Sequence, residues 1–276
     1  MIEVVLRAWA ANAAAFADVL ADQDPAWGSV AYELAGGWAV LCGPGMFVNR
    51  ALGVGIGRPM TGAEFDEFAA RCAEVGVEPA IEITPATHPD TVAIAAARGF
   101  VEGVSTSALR RGLDDASSLP VDPTLVIEPA GDQLAVWQET SAIGWGYTSP
   151  GARRAGDAYG RAAAVVDGDG FVLARSVDDG RPVACASLTI RDDVATIGGM
   201  ATLPSERGRG IQAALIHHRL RVSAAARCSI ATSTAARGGV SERNLIRHGF
   251  EPWFTITTMT TTMTAAGQPR DRARRT

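Results

Sequence analysis

The residues whose types and spacing are best suited to chemistry are Arg207-Gly208-Arg209-Gly210-Ile211-Gln212. Two glycines permit backbone angles that other residues avoid and let a ligand come close to the main chain. The run stands at the start of a helix predicted over Gly210–Arg227, where unpaired amides and the positive end of the helix dipole favour an anion. Arg207 and Arg209 add charge-assisted donors. This is the chemistry of a phosphate or pyrophosphate cradle. A solvated Gly/Arg turn is the bland alternative, and a short glycine motif alone does not separate the two. Gly53-Val54-Gly55-Ile56-Gly57 also repeats glycine, but it lies in a strand-like stretch and lacks the spacing of a dinucleotide fingerprint.

The cradle needs a strand before it and a helix after it, and both are legible. Val194–Leu203 reads as a strand returning from the turn Asp192-Asp193, and Pro204-Ser205-Glu206 leads into the glycines. Upstream, Phe171–Val177 and Val183–Arg191 pair around Asp178-Asp179-Gly180-Arg181, after a strand at Leu125–Glu128 and a helix over Asp132–Ile143. Gly144–Gly160 carries no clear pattern. Downstream come a strand at Ser229–Thr234, a helix over Glu242–His248 stopped by Gly249, and a strand at Trp253–Met259.

The first part of the chain shows a similar order. Ala8–Leu20 is helix-prone, and Trp38–Cys42 and Met46–Gly57 read as strands. Thr61-Gly62-Ala63-Glu64 has the form of a capping box opening a helix to Val75. Val77–Ile83 is a strand, His88-Pro89-Asp90 opens a helix ending at Arg98-Gly99-Phe100, and Val101–Leu109 is a strand. The Gly-Phe entry at Gly99-Phe100 recurs at Gly249-Phe250, 150 positions on, with the elements before it in the same order. Duplication is the expectation. It divides the chain into residues 1–113, a Pro- and Asp-rich linker at 114–123, a second domain at 124–264 and a disordered tail at 265–276 with Arg270, Arg272, Arg274 and Arg275.

On these residues the second half resembles the GNAT superfamily of N-acetyltransferases, whose pyrophosphate loop reads Arg/Gln-x-x-Gly-x-Gly/Ala between a strand and a helix. Arg207 to Ile211 match, and Gln212 departs where the family usually has Gly or Ala. The resemblance spans Leu125–Met263. It implies a mixed α/β (α+β) fold of two GNAT-like domains, each a mostly antiparallel sheet flanked by helices, with a degenerate first copy. That copy has Gly57-Arg58-Pro59-Met60-Thr61-Gly62 in place of the loop. The resemblance further implies acetyl-CoA as co-substrate without a metal. Met200, Ala201 and Thr202 would offer main chain to the pantetheine and thioester. Arg207, Gly208, Arg209, Gly210, Ile211 and Gln212 would hold the pyrophosphate, and Asn244 would line the coenzyme.

Acetyl transfer requires a deprotonated amine, a stabilised oxyanion and a protonated leaving thiolate. The family's tyrosine acid stands five residues before the Gly-Phe phenylalanine, and here that residue is Leu245. Glu139, Trp137, Trp145 and Tyr147 fall where the family shapes its acceptor pocket. The resemblance therefore offers Glu139 and Tyr147 for proton transfer, and Trp137 and Trp145 as pocket wall. A solvated helix glutamate and core tryptophans are the competing readings. His217 is expected exposed, His218 packed, and His248 placed to favour a helix C-terminus. Cys42, Cys72, Cys185 and Cys228 carry neither Cys-x-x-Cys spacing nor a nucleophile signature.

Composition sets the outer limits. A net charge of −5 gives no basic face for nucleic acid or a membrane surface. All 25 basic residues are arginine, which reads as coding bias. Glu3, Arg7 and Asp18 make the N-terminus amphipathic and unlike a signal peptide, and no apolar run is expected to reach the ~18 residues of a membrane span. The expectation is a reduced, cytoplasmic monomer or homodimer acting on a small-molecule amine. A coenzyme-binding regulatory or sequestering protein without turnover, and a protein N-acetyltransferase, are the alternatives.

Overall fold

Residues 1–261 are described in the computed structural model of the chain; the tail expected over residues 265–276, and Met263 at the end of the expected resemblance, lie outside them. Helix α1 spans Ile2–Gln23 and buries Val5, Leu6, Ala10, Ala14, Ala17 and Leu20, apolar residues at helical spacing along one face. Strands β1 (Val30–Leu34), β2 (Gly37–Leu41) and β3 (Arg50–Leu52) follow, then α2 (Gly62–Val75), β4 (Ala80–Ile83), α3 (Pro89–Ala97) and β5 (Val101–Arg111). The second half contains β6 (Leu125–Pro129), α4 (Leu134–Trp145), α5 (Pro150–Asp167), β7 (Phe171–Ser176), β8 (Pro182–Arg191) and β9 (Val194–Thr202). It closes with α6 (Ile211–Ala225), β10 (Ile230–Ala236), α7 (Val240–Arg247) and β11 (Glu251–Thr260).

Among the described residues, eleven strands form one sheet in the order β1-β2-β3-β4-β11-β5-β10-β9-β8-β7-β6. Only β3–β4 and β9–β10 pair in parallel; the other neighbours are antiparallel. The centre of the sheet is an exchange. β5 pairs with β10 of the second half, β11 pairs with β4 of the first, and β5 and β11 pair with each other. From either side of the centre the order of corresponding elements is the same, as a duplicated unit would give.

Alternation along the strands loads both faces. Leu173 and Cys185 join Trp137 and the alanines of α5 in a core shared with Phe16, Ala17 and Leu20 of α1. The intervening Val172, Ala174, Ala184 and Ala186 pack on Ile211 and Leu215 of α6. The linker segment is folded against the second half: Ala116 is buried in the α6–α7 core, and Arg221 donates to the carbonyls of Leu119 and Pro120.

Three expectations change. Met46–Gly57 is a strand only over Arg50–Leu52, because Gly53, Gly55 and Gly57 take positive φ and fold the chain into turns. The unassigned stretch after Gly144 contains α5, started by Ser149, whose Oγ accepts from the Ala152 amide, with Pro150 in the first turn. By length and composition α1 is apolar enough to cross a bilayer, contrary to the expectation from the run, yet in the fold it packs on α5, β1 and β2 and reaches β9, β10 and β11 through Val5, Leu6 and Trp9.

Candidate coenzyme site

The site is built where β9 and β10 part. They pair only from Val194↔Ile230 to Thr196↔Thr232, and beyond that Ser233 reaches across to the Ile197 carbonyl at 2.9 Å. Past this point Gly198–Thr202 has no strand partner on the β10 side, leaving its main chain open to a ligand.

β9 then turns through Pro204–Glu206 into the glycines. Gly208 and Gly210 have φ of +80° and +79°, and an added Cβ would meet nothing within 4 Å at either. Gly210 is the N-cap of α6, and no side chain caps the helix. Its first-turn amides are therefore not taken by a capping carboxylate or hydroxyl of the protein, which suits an anion.

Glu206 shapes the turn from beneath. It is 3% exposed and accepts from Arg181 on the β7–β8 turn at 2.8 Å and from Arg209. The Arg181 hydrogen bond, seconded by the charges of Arg181 and Arg209, holds its carboxyl below the usual range. Arg209 keeps 60% of its side chain exposed and remains presented at the mouth of the turn. Arg207 is exposed, and it donates to the Gly144 carbonyl at 2.8 Å and to that of Thr202 at 3.4 Å. It ties the end of α4 to the end of β9. Gly144 is required there, since a Cβ would come within 2.7 Å of the Ala201 side chain.

Upstream, β9 carries a bulge. Ser187 pairs with Gly198 and Cys185 with Ala201, so Gly199 and Met200 together stand opposite Ala186. The freed Ala186 carbonyl accepts from Trp137 Nε1 at 3.1 Å. On the α6 side, Arg219 donates to the carbonyls of Ser187 and Gly198. Neither Glu206 nor Arg219 was singled out from sequence. Arg219 was detectable, because it sits on the apolar stripe Leu215, Ile216, Leu220 of α6 where a charged residue is out of place.

The structure places the expected residues unevenly. Met200, Ala201 and Thr202 end β9, and Arg207–Gln212 form the turn and the first residues of α6 that follow it. The amide of Asn244 on α7 donates to Gln212 and its carbonyl accepts from Arg247, so a side-chain bridge joins α6 to α7. Trp137 is a correction: it is buried against Phe171 and its indole nitrogen is spent on Ala186, which makes it core rather than pocket wall. Glu139 is another. It is exposed and paired with Arg153 at 2.6 Å, and that hydrogen bond holds its carboxyl below the usual range, opposite to what a base for an ammonium group needs. Trp145 is 54% exposed at the end of α4. Tyr147 is half-buried against Gly156, and burial, with a lesser push from Cys185, raises its phenol. Leu245 is buried in the α6–α7 core.

The histidines make no hydrogen bond to the turn among those of the described residues. His217, expected exposed, is half-buried, with Nε2 3.0 Å from His248 Nδ1. Burial lowers both, as it lowers the half-buried His218. Burial also pushes the Cys185 thiol up to about 12, the reverse of an activated nucleophile.

Residues 135–250 match the family model described as Acetyltransferase (GNAT) family, and the second half thus carries a GNAT acetyltransferase domain. No curated protein sequence matches the chain. Among solved structures, the chain is similar to a GCN5-related N-acetyltransferase from Kribbella flavida, with 17% identity, 88% of this chain and 94% of that one covered, and a TM-score of 0.62. A tandem GNAT protein from the clavulanic acid biosynthesis pathway shares 19% identity over 76% of this chain and 74% of its own, with a TM-score of 0.58. A GCN5-related N-acetyltransferase from Sphaerobacter thermophilus shares 15% over 67% and 59%, with a TM-score of 0.53. At these identities the likeness is one of fold.

Proposed function

Starting from a GNAT acetyltransferase domain over residues 135–250, we propose that the protein transfers acetyl from acetyl-CoA directly to an amine of a small molecule in a ternary complex. The uncapped start of α6 at the parting of β9 and β10 carries this reading. The coenzyme's pyrophosphate matches the amides of that turn and the exposed guanidinium of Arg209. The open main chain of Met200–Thr202 would hold the pantetheine arm and donate to the thioester oxygen. In the reaction the amine nitrogen attacks the thioester carbonyl, the C–S bond breaks, one proton leaves the nitrogen and one ends on the thiol. Tyr147 and Trp145, at the end of α4 and just after it, are the side chains we assign to the acceptor side. We place the reaction in a reduced cytoplasm, with acetyl rather than a longer acyl group as donor.

One observation favours a second reading. Leu245 is packed in the core and Glu139 is committed to Arg153, so the chain lacks two of the proton carriers expected of it. That suits a protein that binds the coenzyme and does not turn it over. Calorimetry with acetyl-CoA, followed by thiol release across a panel of amines, separates the two. Binding with amine-dependent release supports transfer, and binding without release under every amine supports sequestration. In the double variant Arg209→Ala/Gly210→Pro, affinity should fall on the order of a hundredfold, and unchanged affinity would move the pyrophosphate elsewhere.

A further inference from the structure

Arg219 lies at the middle of α6 with 1% of its surface exposed. A guanidinium at such a position is normally matched by a carboxylate, yet among the described residues no acidic group pairs with it. Its partners are neutral: Nε donates to the Leu215 carbonyl at 3.0 Å, Nη1 to the carbonyls of Ser187 at 2.9 Å and Gly198 at 3.0 Å, and Nη2 to Met200 Sδ at 3.2 Å. Burial lowers the group to about 9, which still leaves it charged at neutral pH. Two other titratable groups feel its charge: the Cys185 thiol, neutral there, and the His218 imidazole, lowered by burial and then by Arg221 and Arg219.

The position is specific. Ser187 and Gly198 are the last matched pair before the β9 bulge, and Met200 is the second of its two residues. The bulge is held from both faces, by Trp137 on the Ala186 carbonyl and by Arg219 on the Ser187 and Gly198 carbonyls. Because the peptide is trans, turning the Gly198 carbonyl toward α6 sends the Gly199 amide to the other side. A buried, uncompensated charge is costly where stability alone is served, since an apolar side chain would fill α6 at less expense. Its retention is explained if negative charge develops nearby in the reaction.

We infer that Arg219 is a positioning residue of the transfer site, fixing the β9 bulge and setting a positive charge behind the Met200–Thr202 main chain where the thioester oxyanion and the leaving thiolate form. The inference rests on the acetyl-CoA reading above. No bond to the coenzyme is required of the guanidinium; it acts through the strand.

The test uses CoA itself, bound to the full chain, with its thiol titrated by ultraviolet difference spectra against coenzyme-free protein. At a given pH the bound thiol should show about a tenfold higher thiolate fraction than free CoA. Arg219→Met should return that fraction to the value of free CoA while acetyl-CoA affinity by calorimetry changes less than about threefold. Arg219→Lys, which keeps a charge but loses the fork, should fall between. A bound thiol that titrates like free CoA in the unaltered protein overturns the inference without recourse to any variant. So does an unchanged titration in Arg219→Met. If the unaltered protein binds neither CoA nor acetyl-CoA, the functional reading itself fails and the inference falls with it, a result distinct from normal binding with an unshifted thiol.

Discussion

The turns at 57–62 and 207–212 occupy the same place in the two halves and lead into helices of 14 and 15 residues, yet one is plugged and the other open. At α2, Thr61 Oγ1 accepts from the Glu64 amide, and the Glu64 carboxylate accepts from the Thr61 amide at 2.8 Å. Arg58 forks onto the same carboxylate and, as the largest influence, pulls it down to about 2. The helix has supplied its own anion, and the nearby cation is already neutralised. Arg98 closes the side of the turn, since a Cβ on Gly62 would lie 2.4 Å from its Nη2. The gap between β3 and β4, which pair only at Ala51↔Ile81, is filled by the Gly53–Gly57 turns and by Thr91, whose hydroxyl accepts from the Met60 amide. At α6 the cap is a bare glycine, with no side chain in its place. A helix N-terminus thus becomes a ligand site when the protein leaves it unfilled, and the first half shows how little is needed to fill it.

The largest effect should come from separating the halves. β5 lies between β10 and β11, and β11 between β4 and β5, so each half alone would expose unpaired strand edges. Residues 1–123 and 124–276 expressed separately should be insoluble or unfolded, and co-expression should recover one complex. A folded, monomeric half by circular dichroism and gel filtration would show that the exchange is dispensable.

Next in size is an attempt to turn the open turn into the plugged one. Ala213 stands at the third position of α6, the place Glu64 holds in α2. Ala213→Glu should weaken acetyl-CoA binding by about tenfold or more, as a carboxylate takes the amides and repels the pyrophosphate. Equal affinity in calorimetry would mean that the start of α6 is not the anion site.

The converse change should be smaller. Glu64→Ala removes the capping box and should cost about 1 kcal/mol in urea denaturation, the exposed Arg58 pair adding little. Coenzyme affinity should not move, because the first half offers no open cleft. A second coenzyme equivalent bound by this variant would show the plug to be the sole obstacle.

The smallest effect is one of pH, with opposite signs in the two halves. Glu64 is depressed, so its contribution is present above its ordinary value near 4.5 and is lost as pH falls toward about 2. Asp167 at the end of α5 is raised by burial to about 6, and its Oδ1 has no partner. Its folded form favours the proton, so stability is full below about 4 and is lost as pH rises through about 6. Asp167→Asn should therefore gain about 1 kcal/mol at neutral pH and flatten that slope in thermal melts. A variant no more stable than the parent at pH 7 would indicate that Asp167 ionises without cost.

Much of the arrangement could be read from local signals. The capping box at Thr61 and Glu64, the helix stops at Gly99 and Gly249, and the strand-turn-helix around Gly208 and Gly210 are short-range features, and each is in place. Helix α5 was illegible because Gly151, Gly156 and Gly160 lower its propensity. Two of them are there to admit neighbours: a Cβ on Gly156 would lie 2.8 Å from the Tyr147 ring, and one on Gly160 3.0 Å from Gln138. The strand β1 was missed for want of a clear alternation, its first three residues being half-buried.

The sequence by itself determined most of the elements and a glycine turn able to receive an anion, because caps, turns and periodicity act over a few residues. Tertiary structure decided the rest. Long-range strand pairing merged two halves into one sheet, and packing alone sent Trp137 inward and gave Glu139 to Arg153. It also buried Arg219 behind the β9 bulge, where charge and main chain meet from residues far apart in the chain. Such placements depend on which surfaces face each other once the sheet has formed, and no spacing along the chain encodes them.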